Sequence, residues 1–268
     1  MSIVTLTTDL GNYDHYVAKV KGALLSQNPN LNIVDISHQV EPFNLISAAF
    51  LLKNSFDSFP KGSVHILSVL TSSISSDAPN SFSPDHLAFS YKGHYFIGPN
   101  NGIFPMIYDE RPEDMVFLEI EELDDHQSFS IGNLYCRAAA HLANKGPLNM
   151  LGSKATGIFE KSSLHPSYID SHVQGAVVYI DHFGNLITNI QKDAFNLTKK
   201  NRPFTIELGF RGHTVNEICR WYGEVSKGDL MALFNSDNHL EIAINQGDAH
   251  KLLGLKVQDQ IRIDFNDY

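Results

Sequence analysis

Only two cysteines, Cys136 and Cys219, occur in 268 residues. That excludes a disulfide framework and a zinc-binding cysteine cluster, and leaves core packing as their expected role. Histidine is plentiful at 13, yet no HExxH and no HxH occurs, so no metal site is expected and most histidines read as surface or interface residues. No Walker loop, GxGxxG cradle or Gly-x-Ser-x-Gly elbow is present, which removes support for conventional nucleotide hydrolysis and for esterase chemistry. No apolar run approaches the ~20 residues that span a bilayer, and the start, MSIVTLTTDLG, lacks the basic-then-apolar order of a secretory signal. The expectation is a cytoplasmic protein with no membrane partner. Basic residues are also in deficit: 20 Lys plus Arg against 30 Asp plus Glu give a net charge of −10. That argues against nucleic acid as a partner and leaves room for a cationic ligand.

What is present is an ordinary globular composition, 43% hydrophobic and 19% charged, at a length that suits one large or two modest domains. Residues 3–7 are β-prone and end at Thr8-Asp9-Leu10-Gly11, after which Tyr16, Val17, Val20 and Leu24 recur at helical spacing. The β-then-α order repeats over residues 32–36 and a helix with Leu45, Ala49, Leu52 and Phe56 on one face behind an Asn44 cap. The apolar run 64–70 reads as a strand buried on both faces, as parallel sheets require. Residues 71–85, TSSISSDAPNSFSPD, form a serine- and proline-rich loop. Strands at 87–91 and 95–98 flank a Lys92-Gly93 turn, and 133–142 with its alanine run reads as a helix. Residues 160–171 lack any apolar period and contain Pro166, so the boundary falls there. Short β-prone segments at 173–180, 186–190, 204–208, 240–244 and 261–265 follow. The expected architecture is an α/β N-terminal domain, 1–160, followed by a smaller all-β, barrel-like C-terminal domain, 172–268.

Four polar clusters sit at strand ends or turns, where ligand contacts lie in α/β proteins. Asp9 leaves the first strand at the carboxyl edge, where its carboxylate can accept two hydrogen bonds from a ribose diol; locally it reads as well as a helix N-cap or loop-capping residue. Asp181-His182-Phe183-Gly184-Asn185 joins a carboxylate, an aromatic ring and an amide within five residues. Such a set can bind a cation, stack on a base and read its edge. The plainer alternative is a hairpin in which Gly184-Asn185 takes positive φ angles and Phe183 fills the core. Asn235-Ser236-Asp237-Asn238 and Gly98 to Gly102 read first as turns.

In this order the segments TTDLGNYDHYVAKVKG from Thr7, NPNLNIVDISHQVEPFNLISAAFLL from Asn28, FPKGSVHI from Phe59, YFIGPNNGIF from Tyr95, YIDHFGNLITNI from Tyr179 and ALFNSDNHLEIAINQGDA from Ala232 resemble the S-adenosylmethionine hydroxide adenosyltransferase family. Its relatives join fluoride or chloride to the adenosyl group. The resemblance covers nearly the whole chain. It implies a homotrimer with ligand sites between subunits and no separate cofactor, S-adenosylmethionine being substrate or ligand. It also implies roles for single residues: Asp9 on the ribose hydroxyls, Asp181 on the methionine ammonium, Phe183 and Asn185 on the adenosyl and methionyl portions, and Ser236 at the amino-acid end.

The same resemblance departs from the family pattern at the reaction site. An aspartate expected after the buried strand is replaced by Leu70, an expected histidine by Ser130, and the expected arginine is missing, since none occurs before Arg111. Leucine neither accepts a proton nor binds water, and a serine with no neighbouring base is a weak acid–base group. Asp85-His86 falls near the missing arginine and offers a substitute general base, against the plainer reading of an exposed loop histidine. Two functional expectations follow: an adenosyl-binding protein with lost or rearranged catalysis, or an active hydrolase giving adenosine and methionine by attack at the ribose 5′ carbon. A pocket altered for another nucleoside is a third.

Overall fold

A computed structural model describes residues 2–69, 86–119, 127–160, 164–209 and 212–266. The chain divides into two compact units, Met1–Ser162 and Ser163–Tyr268.

The first unit contains β1 (Ile3–Thr8), α1 (Tyr16–Gln27), β2 (Asn32–Ser37), α2 (Leu45–Lys53), β3 (Val64–Ser68), β4 (His86–Tyr91), β5 (His94–Pro99), β6 (Met115–Leu118), α3 (Leu134–Ala143) and β7 (Gly152–Lys154). Its sheet runs β2-β1-β3-β5-β4-β6-β7. The first four strands are mutually parallel, while β4, β6 and β7 pair antiparallel. Alternation along the strands divides the core in two. Val4, Leu6, Val64 and Ile66 pack with Val20 and Leu24 of α1 and Ala138, Ala139 and Leu142 of α3. Leu67, Phe89 and Phe96 pack with Leu45, Ala48 and Leu52 of α2. The Asn44 side chain accepts from the Ser47 N–H at 3.0 Å and so caps α2. Residues 71–85, expected as a loop, and Leu70 lie outside the described residues.

The second unit contains β8 (Ser167–Tyr168), β9 (His172–Ile180), β10 (Leu186–Gln191), α4 (Lys192–Lys199), β11 (Phe204–Leu208), β12 (His213–Val215), β13 (Leu230–Phe234), β14 (His239–Ile244), α5 (Ala249–Leu253) and β15 (Gln260–Phe265). The sheet order is β12-β11-β15-β9-β10-β14-β13, with β8 added beside β9. All named pairings are antiparallel. Cys219, shortly after β12, bridges Leu233 of β13, and its N–H donates to the Ala232 carbonyl at 2.8 Å. The two ends of the sheet are thereby brought together into a nearly closed barrel. Phe195 of α4 is fully buried in its interior against Phe204, ring centroids 5.4 Å apart. Burying such a ring is worth about 1.5–3 kcal/mol. Among the described residues no helix is long and apolar enough to cross a membrane.

Candidate functional site

Because β1, β3 and β5 run parallel, Thr8, Ser68 and Pro99 end at one edge of the first sheet. Asp9 leaves that edge half-buried, and its Oδ2 accepts from the Phe43 N–H at 3.1 Å. The loop-capping reading of Asp9 is thus realised, while the N-cap position of α1 belongs to His15. Burial raises the Asp9 pKa from its ordinary value, against the lowering effect of the Phe43 hydrogen bond. Phe43 adopts φ 67°, and its ring is 67% exposed. A left-handed backbone is an outlier for a bulky residue, so an exposed aromatic held this way is a candidate contact that sequence pattern did not single out. Nearby, Thr8 Oγ1 bonds His38 Nδ1 at 2.8 Å, and His38 Nε2 lies 3.1 Å from Asp35.

His86 corrects the expectation of an exposed loop histidine. It opens β4, is buried, and its Nδ1 lies 2.7 Å from the Tyr135 phenol oxygen. Asp85, its supposed partner, and the Ser130 side chain lie outside the described residues. The Gly98 to Gly102 cluster builds a turn as expected: buried Asn101 donates to the Val69 carbonyl at 2.9 Å and so ties the end of β3 to the end of β5.

In the second unit, Asp181 ends the turn-side of β9. Its Oδ1 accepts from the N–H groups of Phe183 and Asn185 at 2.9 and 2.8 Å, and its Oδ2 from Asn185 Nδ2 at 2.9 Å. An ionised carboxylate offers about four acceptor sites, so roughly one remains. Gly184 turns the hairpin at φ 81°, and a Cβ there would run into the Asp248 carboxylate, the cap of α5. The plainer reading is corrected in two respects. Gly184 alone takes a positive φ, and Phe183 is 73% exposed rather than in the core.

Asp181 is not the sole acidic group here. Glu241 of β14 is only 3% exposed, and its Oε1 accepts from the Tyr222 hydroxyl at 2.6 Å. Leu240 and Ile242 fill the barrel, so Glu241 faces the opposite side, the one it shares with Ala243. Burial raises its pKa, and the charge of Asp181 raises it further, while Tyr222 and Asn235 pull the other way. The Tyr222 hydroxyl is likewise pushed well up by burial and by Glu241. Among the described residues no lysine, arginine or histidine pairs with Asp181 or Glu241. Trp221 and Tyr222 are 62% and 44% exposed beside this pair. Ser236 stays exposed in a turn built by Asn235, whose Oδ1 accepts from the N–H groups of Asp237 and His239, each at 3.1 Å. Asp181, Phe183, Asn185 and Ser236 therefore belong to the second unit and Asp9 to the first. Sequence reasoning missed Glu241 and Tyr222; the available signal was a single charge inside the apolar run LEIAI. Among the described residues no cluster of metal-binding side chains occurs.

Residues 4–152 match the profile described as SAM hydroxide adenosyltransferase N-terminal domain, and residues 175–262 match the corresponding C-terminal domain. The chain is 28% identical to the (R)-S-adenosyl-L-methionine hydrolase of Methanocaldococcus jannaschii, over 98% of this chain and 96% of that one. The same identity holds for the (R)-S-adenosyl-L-methionine hydrolase of Thermus thermophilus, over 98% of this chain and all (100%) of that one. A fluorinase from an Actinoplanes species is 26% identical over 71% of this chain and 72% of its own. A crystal structure of an uncharacterized conserved protein from Thermotoga maritima superposes with a TM-score of 0.86 at 28% identity, covering 98% of this chain and 100% of that one.

Proposed function

Since the chain belongs to the SAM hydroxide adenosyltransferase family, we propose that it binds S-adenosylmethionine, in the cytoplasm and as a homotrimer, with a rearranged reaction site. The observation that carries this reading is the Asp181–Glu241 pair. Two carboxylates, one of them almost fully buried, stand without a cationic partner among the described residues. Burying an unpaired charge is costly, and a ligand bringing an ammonium and a sulfonium relieves that cost. Asp181 takes the ammonium through its remaining acceptor site, a charge-assisted bond about twice as strong as a neutral one. Glu241 acts beside it, and Ser236 binds the amino-acid end. Asn185 and the exposed Phe183 contact the adenosyl and methionyl portions. Asp9 accepts from the ribose hydroxyls, and Phe43 supplies a ring face next to it.

A second reading, active hydrolysis to adenosine and methionine, is supported by the hydrolases that match 98% of the chain. A single-turnover experiment separates the two. Protein in excess over S-adenosylmethionine is incubated, and adenosine, methionine and residual substrate are followed by chromatography. Adenosine and methionine appearing faster than in a protein-free control establish hydrolysis. Persisting substrate that is retained with the protein on filtration establishes a binder. Substrate neither retained nor consumed overturns both.

A further inference from the structure

The turn that carries Asp9 is held from the loop after β2, and chiefly by one residue of it. The His38 carbonyl accepts from the Gly11 N–H at 2.7 Å, while the His38 ring Nδ1 lies 2.8 Å from Thr8 Oγ1. Thr8 directly precedes Asp9 and Gly11 comes two residues after it, so His38 grips the turn on both sides. Inside the turn the Leu10 N–H donates to Thr8 Oγ1 at 3.3 Å. Phe43, further along the same loop, reaches Asp9 Oδ2 through its N–H.

The protons of this clamp follow from its partners. Thr8 is fully buried, and its hydroxyl has two partners among the described residues, the Leu10 N–H and His38 Nδ1. An N–H only donates, so the Thr8 proton goes to Nδ1. The neutral ring then carries its own proton on Nε2. That nitrogen lies 3.1 Å from Asp35 Oδ1, and Asp35 in turn bonds Lys21 of α1 at 2.6 Å. Burial raises the Asp35 pKa, but the Lys21 and His38 contacts outweigh it and bring it below its ordinary value. A proton on Nε2 meets this carboxylate favourably. The other tautomer sets a lone pair against it and strands the buried Thr8 O–H. The His38 ring is itself buried, so packing holds it where these bonds place it.

We infer that His38 is the positioning residue for Asp9: gripping Thr8 through its ring and Gly11 through its carbonyl, it sets the place from which the Asp9 carboxylate meets a ribose diol. A group that accepts two directed hydrogen bonds must be held to within about 0.5 Å, and contacts behind the site supply that. This rests on the adenosyl reading above. Two measurements test it. Long-range proton–nitrogen NMR of the full chain at neutral pH is expected to show His38 protonated on Nε2 and bare on Nδ1; a ring protonated on Nδ1 overturns the arrangement. Calorimetric titration with adenosine and with 2′,3′-dideoxyadenosine, which lacks the ribose diol, reads the grip on Asp9. The parent is expected to prefer adenosine at least tenfold. His38→Ala is expected to cut that preference to within threefold while affinity for the dideoxynucleoside stays within twofold of the parent, a split that general loosening of the fold does not produce. Thr8→Val, which keeps the volume and removes the hydroxyl, is expected to do the same, and Thr8→Ser to keep the preference. A full preference in both His38→Ala and Thr8→Val overturns the inference and leaves the Asp9 reading standing, as does an equal loss of affinity for both nucleosides. Equal affinity of the parent for the two nucleosides, or no binding of adenosine, overturns the Asp9 reading and the inference with it.

Discussion

In the first unit the buried histidines His38, His65 and His94 each hydrogen-bond a neighbouring side chain. His65 bonds Thr5 at 2.7 Å and His94 at 3.1 Å, His94 reaches Lys61 at 3.3 Å, and His38 bonds Thr8. In the second unit Glu241 is as deeply buried, yet its neighbours are a phenol, the Asn235 amide and another carboxylate, and no cation answers it among the described residues. The difference separates two uses of burial. A polar network whose members bond one another holds strands together. A buried negative charge left open is a cost to the fold that a positively charged ligand removes.

The comparison breaks most readily at Asp181. Asp181→Ala removes three hydrogen bonds of the hairpin together with the charge. Affinity for S-adenosylmethionine by calorimetry is expected to fall at least a hundredfold, about 2.7 kcal/mol. On the other side of the comparison is acid sensitivity. Burial and the neighbouring His94 push the His65 pKa down to about 3. The folded pKa lies below the unfolded value, so the unfolded chain binds more protons between pH 6.5 and 3, and stability falls as pH drops through that window. The slope is about 1.4 kcal/mol per pH unit. Urea titrations at pH 6 and 4.5 check it, and His65→Gln is expected to flatten the difference.

Glu241→Gln sharpens the contrast because two observables move in opposite directions. The raised pKa of Glu241 means that its contribution to stability is lost as pH rises through the folded value. The glutamine variant is therefore expected to melt higher than the parent at pH 8, while binding S-adenosylmethionine about tenfold more weakly, some 1.4 kcal/mol. A variant that melts higher and binds as well as the parent shows that Glu241 has no part in ligand capture. The smallest effect is expected at Phe43→Gly. Relief of the left-handed backbone, about 1 kcal/mol, offsets the greater chain entropy of glycine. Thermal stability stays near the parent while affinity drops severalfold through loss of the ring.

Much of the fold was legible because its signals are local. The run 204–208 and the Lys92-Gly93 turn are set by β-propensity and turn chemistry, and the structure has both. The elements overlooked were β6, β7, β8, α4, β12, β13 and α5. In α4 only Phe195 is buried, so no helical period shows, and β12 is three residues long. The histidine network was not legible either. Thr5 and His65 are 60 residues apart and meet only through the β1–β3 register, and a lone histidine carries no pattern of its own. At the candidate site, Asp9, Asp181 and Asn185 were singled out because carboxylates and amides at strand ends are informative. Glu241 was hidden inside a strand, and its partner Tyr222 lies 19 residues away.

The central claim is that the second unit's unpaired carboxylates select a cationic adenosyl ligand. Calorimetric titration of the full chain with S-adenosylmethionine and with 5′-methylthioadenosine, which carries neither the ammonium nor the sulfonium, tests it most directly. The account predicts that S-adenosylmethionine binds at least tenfold more tightly, and that Asp181→Ala removes the preference. Equal affinity for the two, or tighter binding of the neutral nucleoside, contradicts it.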